Sequence, residues 1–226
     1  MTGRDRGGDR RGGARGRVIV LAGEDQNDCE IVAALIRAHR PDLCTAAKLV
    51  RINDPVRLRR KSGQELAVAA KALVGKARAK ALQQRSELVG LVVHEDLDGF
   101  TDPQYRKVRA AVADALRTQC GGALTALALA AWESEGWLLL FPDAFARVHP
   151  KWKVPAQLRG KDSGRLKGPK EELKRRLGSP VFRESDGPAV ARRALEHGLV
   201  SVPEGRNDSY ADFVEELASW APPAPR

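Results

Sequence analysis

The stretch Leu88-Val-Gly-Leu-Val-Val-His-Glu-Asp-Leu-Asp-Gly99 joins an apolar run, read as the buried strand Leu88–Val93, to the carboxylates Glu95, Asp96 and Asp98. A strand buried on both faces reads as a continuous apolar run, and Gly99 lets the chain turn away. Adjacent carboxylates repel one another, so at a strand end they call for a cation. Hard oxygen ligands of this kind suit Mg2+, Mn2+ or Ca2+. In open α/β sheets the carboxyl ends of strands are also where ligands bind. The same residues equally describe a solvated acidic turn.

Outward from this stretch the chain alternates. Arg17–Ala22 is an apolar, β-branched strand, broken by Gly23-Glu24-Asp25-Gln26-Asn27. Asp28–His39 carries Ile31, Val32, Leu35 and Ile36 at helical spacing, and Pro41 stops it. Ala47–Ile52 reads as a second strand. Ser62-Gly-Gln-Glu65 has capping-box spacing ahead of a helix through Leu66, Ala69, Ala70, Leu73 and Ala77 that extends to Gln84. After the Leu88–Val93 strand, Pro103 opens a helix that ends at Gly121-Gly122, and Ala123–Ala130 is a fourth strand. This order predicts an α/β fold: a Rossmann-like, mostly parallel, four-stranded sheet flanked by helices, over residues 17–150. A short helix over Glu133–Phe141 is expected to leave the fourth strand. Residues 151–226 read as a basic, mainly helical region packed on that domain, with helices over Pro169–Leu177, Pro188–Glu196 and Ser209–Trp220. Residues 1–16, rich in Arg and Gly, are expected to form a disordered basic arm.

A length of 226 residues suits one good core or a domain with a smaller appendage. The net charge of +10 favours a polyanionic partner, DNA or RNA first. Cys29, Cys44 and Cys120 form no C-x-x-C spacing, which argues against a disulfide framework and a zinc site and fits a reducing cytoplasm. No apolar stretch is long enough to span a membrane, so no membrane partner is expected.

The acidic residues recur at the predicted strand ends. Glu24 follows the first strand, Asp96 and Asp98 the third, and Glu133 and Glu135 the fourth. In a parallel sheet these ends share one edge, so residues distant in sequence converge. Glu24, Asp96, Asp98 and Glu135 are the candidate ligands of one or two Mg2+ or Mn2+ ions, which in phosphodiester chemistry polarise a phosphoryl oxygen and activate water. Strand alternation aims Asp96 and Asp98 the same way and Glu95 away from them, which places Glu95 beside the site or on the surface. Asp25, Asp28, His94 and Glu133 are secondary candidates, with His94 read as a general base or ligand against the plainer alternative of a strand-end histidine.

Gly23-Glu24, Asp96-Leu97-Asp98 and Glu133-Ser-Glu-Gly-Trp-Leu-Leu139 resemble the Toprim fold, and more closely the Toprim-related group DUF4276, allied to the overcoming-lysogenization-defect nucleases. That group continues with a Pro-Lys helix, matched by Pro169-Lys170, and a Ser-x-x-x-Phe helix, matched by Ser209 and Phe213. The resemblance implies a metal-dependent nuclease, with prokaryotic defence as its setting and a protein partner such as an ATPase subunit. Where the group has Glu-Gly this chain has Glu24-Asp25, which makes Asp25 an added candidate ligand.

The second half supplies positive charge at Arg159, Lys161, Arg165, Lys167, Lys170, Lys174, Arg175 and Arg176. Such a patch binds a phosphate backbone. Lys167 and Lys170, which flank Gly168-Pro169, are placed to stabilise charge at the scissile phosphate. Glu171 and Glu172 interleave at helical spacing, so the same segment also reads as a self-paired, solvated helix face. Two other functions compete with the nuclease. One is a non-catalytic nucleic-acid-binding or regulatory subunit with a metal site. The other is a haloacid-dehalogenase-type phosphatase, which also carries Asp-Leu-Asp-Gly. Here, however, His94-Glu95 separate the strand from the first aspartate and Phe100 follows the glycine. An EF-hand loop fails for want of its closing glutamate.

Overall fold

In a computed structural model, which describes residues 15–52 and 57–221, the chain is an α/β protein built on a four-stranded, all-parallel sheet. Most of the expected basic arm lies outside the described residues. The strands are β1 (Gly16–Ala22), β2 (Lys48–Ile52), β3 (Ser86–Asp96) and β4 (Leu124–Ala130), in the order β2-β1-β3-β4. The helices are α1 (Gln26–His39), α2 (Pro41–Ala46), α3 (Gly63–Gln83), α4 (Pro103–Cys120), α5 (Glu135–Leu138), α6 (Pro142–Val148), α7 (Pro169–Arg176), α8 (Gly187–Glu196) and α9 (Asp208–Ala218).

Two helices were not foreseen. Pro41 ends α1 but also opens α2, because its fixed φ and missing N–H suit a first helical position. The expected Glu133–Phe141 helix is the shorter α5, and Pro142 starts α6 in the same way.

Strand alternation sorts the apolar residues onto two faces. Val18, Val20 and Ala22 of β1, Leu91 and Val93 of β3, and Leu127 and Leu129 of β4 face a core shared with α3 and α4. Ile19 and Leu21, Val92, and Ala126, Ala128 and Ala130 face the opposite core, shared with α1 and the C-terminal helices. On that second face the three alanines of β4 share the core with Trp137, Phe141 and Phe213. Residues on either side of Pro150 belong to this one core: Leu35 and Phe145 before it, Phe182 and Val190 after it.

The helix after β1 and the helix after β3 therefore lie on opposite faces, while β1 and β3 are neighbours. That divergence opens a crevice at their carboxyl ends, the place where doubly wound sheets bind ligands.

The outer edge of β4 is covered by side chains instead of a further strand. Glu216 of α9 accepts the Leu127 N–H (3.1 Å) and Arg109 of α4 donates to the Leu127 carbonyl (2.6 Å). The Trp220 indole donates to the Thr125 carbonyl (3.1 Å) and Ser209 accepts the Ala131 N–H (2.9 Å). Trp220 also crosses Gly90 of β3 so closely that a Cβ there would lie 2.8 Å from the indole, which explains the glycine in a buried strand. Among the described residues no helix is long and apolar enough to cross a membrane.

Candidate metal centre

β3 runs three residues beyond its apolar segment, because His94, Glu95 and Asp96 stay in register with Ala128, Leu129 and Ala130 of β4. The alternation carries on with it. His94 and Asp96 lie on the α1 face with Val92, and Glu95 lies on the opposite one. At the adjacent strand end, Asp25 caps α1 by accepting the Asp28 N–H (3.0 Å), which fixes Asp28 in the first helical turn.

Asp28, His94 and Asp96 thereby meet. Asp28 Oδ2 is 3.7 Å from His94 Nδ1, and Asp96 Oδ1 is 3.5 Å from His94 Nε2. One ligand atom from each lies within 4.8 Å of the others, so the trio could hold a metal ion. His94 is 2% exposed, and neither ring nitrogen has a hydrogen-bond partner. Buried polar atoms are nearly always satisfied, so a ring nitrogen of His94 with no hydrogen-bond partner is available to ligate an ion shared with the two carboxylates.

The surroundings hold this arrangement still. Ser134 donates its backbone N–H to Asp96 Oδ1 (3.1 Å) and its hydroxyl to Asp28 Oδ1 (3.0 Å), gripping both carboxylates from the β4 side. The His94 ring meets the Trp137 ring edge-on, with centroids 6.1 Å apart. Trp137 in turn stacks on Phe213 (5.5 Å, 11°) and donates to Ser209 Oγ (2.8 Å). Both residues of the Ser-x-x-x-Phe spacing therefore close on the indole behind His94.

Asp28 and Asp96 line a cleft of about 280 Å³, whose walls also include Glu24, Glu135, Lys170 and Glu184, while His94 lies buried behind them. Burial, then the charges of Asp28, Glu24 and Glu133, push the Asp96 carboxyl well above its ordinary range. Burial also pushes Glu135 up to about 8, helped by Asp96, Glu133 and Asp28. The site thus crowds carboxyl groups closely enough that the charged form of Asp96 and Glu135 is disfavoured in the metal-free protein.

Other predicted residues fall elsewhere. Asp98 does not join Asp96: the strand stops at Asp96, the Leu97 and Asp98 amides bond to the Ala130 and Trp132 carbonyls, and Asp98 takes a left-handed φ of +56°. Its carboxylate is 2.6 Å from Arg59 and 3.4 Å from Arg60. Glu24 lines the cleft but pairs with Arg57 (3.2 Å) and Arg59 (3.8 Å). Glu133 accepts the Lys170 N–H (3.1 Å), and the Lys170 ammonium lies 3.5 Å from Glu133 and 2.8 Å from Glu184. Burial disfavours that ammonium's charge, but the Glu184 hydrogen bond and the Glu133 charge outweigh it and hold Lys170 above its ordinary range. Glu95 points away from Asp96, as alternation requires, yet it is buried and accepts the Leu58 (2.6 Å) and Arg59 (2.9 Å) amides.

Most of the C-terminal cations are paired within the fold. Arg159 joins Glu204 and Asp143, Lys174 joins Glu171, Arg175 and Arg176 join Glu172, and Arg165 lies 3.6 Å from Asp162. Lys161 is exposed, and Lys167 lies over the Trp132 ring at 5.7 Å. Besides Lys170, the cations at the acidic strand ends come from the β2–α3 connection: Arg57, Arg59 and Arg60, which sequence reasoning passed over. Their signal was positional, since Arg57-Leu-Arg-Arg60 follows the second strand at the same sheet edge.

Comparison of the chain with protein-family models, curated proteins and solved structures returns no match. The functional reading therefore rests on the site itself.

Proposed function

We propose that the chain is a metal-dependent nuclease, cleaving phosphodiester bonds in DNA or RNA at the Asp28–His94–Asp96 centre. The observation that carries this reading is the buried His94, open at both nitrogens between two carboxylates, in the crevice where β1 and β3 part. Asp28, His94 and Asp96 would hold one divalent ion, which when bound polarises a phosphoryl oxygen and lowers the pKa of water. An imidazole in the donor set favours Mn2+ over Mg2+, which prefers oxygen alone.

The chain's own residues supply the rest. Ser134 keeps both carboxylates aimed at the centre, and Trp137 walls off the back of the imidazole. Glu135 lines the same cleft, and its carboxyl, held up to about 8 by burial in the metal-free protein, would be drawn down toward its charged form by a bound cation. Lys170 places positive charge in the cleft wall, and the exposed Arg57 and Arg60 extend it outward. The net charge of +10 supports a nucleic-acid substrate over a small anion. The Toprim-like order of Glu24, Asp96 and Glu135 along the chain supports phosphodiester chemistry. The paired aspartates of the phosphatase alternative are split apart here, with Asp98 on Arg59.

The test is an end-labelled DNA and RNA cleavage assay with Mn2+, Mg2+ or chelator, beside a chromogenic phosphomonoester. Cleavage is expected with Mn2+, to be abolished by chelator and to fall at least about 100-fold in His94→Ala and Asp96→Asn. Cleavage that survives both substitutions would refute the site. Salt-sensitive binding without turnover would instead establish a binding subunit, and monoester turnover alone a phosphatase.

A further inference from the structure

We propose that Arg59 is a built-in second cation of this site, so that the chain takes one divalent ion and not the pair that its acidic residues suggest. The inference deepens the nuclease reading and rests on its metal centre. The carboxylates at the strand ends divide into two groups, each around a different nitrogen base. Asp28 and Asp96 flank His94, which is able to ligate a metal. Glu24 and Asp98 flank Arg59, which is not.

The Arg59 guanidinium sits 2.6 Å from Asp98 Oδ2 and 3.8 Å from Glu24 Oε1, between the two carboxylates that a second ion would need. A guanidinium keeps its charge at every accessible pH, so this positive charge is permanent. The side chain is only 6% exposed, its Nε has no hydrogen-bond partner, and Glu24 Oε1 has none either. The guanidinium is therefore held inside the fold, with the half-exposed Asp98 carboxylate on its outer side.

The backbone is built to deliver it there. Glu95, itself 2% exposed, accepts the amides of Leu58 and Arg59 together, which anchors the connection after β2 against the end of β3. From the other side, the left-handed backbone at Asp98 turns its carboxylate onto Arg59 instead of along the line of Asp96. Arg57 covers the remaining oxygen of Glu24 at 3.2 Å. A dication entering between Glu24 and Asp98 would meet one guanidinium in its place and a second beside it. Phosphodiester enzymes that use two metals place them a few ångströms apart to share the charge of attacking and leaving oxygens. Here a guanidinium stands between the two carboxylates that such an ion would use.

Mn2+ binding to the full chain, followed by equilibrium dialysis and electron paramagnetic resonance, tests this without reference to turnover. Wild type is expected to bind one Mn2+ per chain with an uncoupled signal, lost in His94→Ala. Arg59→Met, which removes the charge and keeps the bulk, is expected to bind a second ion, and adding Asp98→Asn to it should return the count to one. Arg59→Lys keeps a cation and should stay at one. Should Arg59→Met fail to fold, Asp98→Asn alone decides, because it should leave the first ion's affinity within about twofold if Asp98 is not a ligand. Two spin-coupled ions in wild type would overturn the inference and leave the metal centre standing. A folded Arg59→Met that still takes one ion would overturn it too, as would a large loss of Mn2+ affinity in Asp98→Asn. No Mn2+ in wild type would sink the metal centre itself.

Discussion

Glu135→Gln should stabilise the metal-free protein at alkaline pH and not at acid pH. Glu135 is buried among Asp96, Glu133 and Asp28, and its carboxyl rises from 4.5 to about 8. A group whose pKa is raised by folding keeps its proton in the native state while the unfolded chain releases it. Its contribution is therefore fully present below about 4.5 and is lost as pH rises through about 8. At about 1.4 kcal/mol per pH unit, that interval amounts to about 5 kcal/mol. Asp96, raised in the same cluster, shares the proton balance, so the single substitution should recover about 2–5 kcal/mol. Glutamine has the same shape and never ionises. Urea unfolding in chelator at pH 5, 7 and 9 would measure the gap between variant and wild type: small at pH 5, opening in the variant's favour by pH 9. A gap that stays constant across that range, or a wild type that gains on the variant with rising pH, would refute the reasoning that a desolvated carboxylate sits in this cleft.

Two further substitutions test the scaffold. Glu95→Ala strips the acceptor from the Leu58 and Arg59 amides and should cost about 2–5 kcal/mol in urea unfolding, with faster hydrogen exchange at both amides; unchanged exchange there would show that Glu95 does not anchor the connection. Ser209→Ala removes the shared acceptor of the Ala131 amide and the Trp137 indole and should cost about 2–4 kcal/mol. A loss below about 0.5 kcal/mol, the level of an ordinary surface change, would count against the clamp.

The parallel sheet was legible because its strands are apolar on both faces and its helices carry apolar residues at helical spacing, patterns that depend on local sequence. The acidic strand ends were legible for the same reason, since they follow from where the apolar runs stop. Asp98 was misplaced because alternation assumes that a strand continues. Its amide instead bonds across to Trp132, a residue 34 positions later in the sequence, and no local pattern announces that. Asp28 was only a secondary candidate, named at the start of the helix after the first strand; there Asp25 does the capping and frees Asp28 for the cleft. The basic second half carried two readings in its spacing, a phosphate-binding patch and a self-paired helix face. The intervals that gather Lys174, Arg175 and Arg176 on α7 also put them within reach of Glu171 and Glu172.

The covering of β4 has a consequence for how the chain is made. The bonds that close its outer edge from Glu216 and Trp220 span 89 and 95 residues. At about 5–20 residues per second, a ribosome takes roughly 5–20 s to add that much chain. Through that interval the nascent protein holds four strands' worth of sequence with no lid on the last of them. An open strand edge recruits other strands, so the hazard for this protein lies in the polysome, where neighbouring unfinished copies present the same edge at the same time. A shortened chain that stops before Ser209 would carry that hazard permanently.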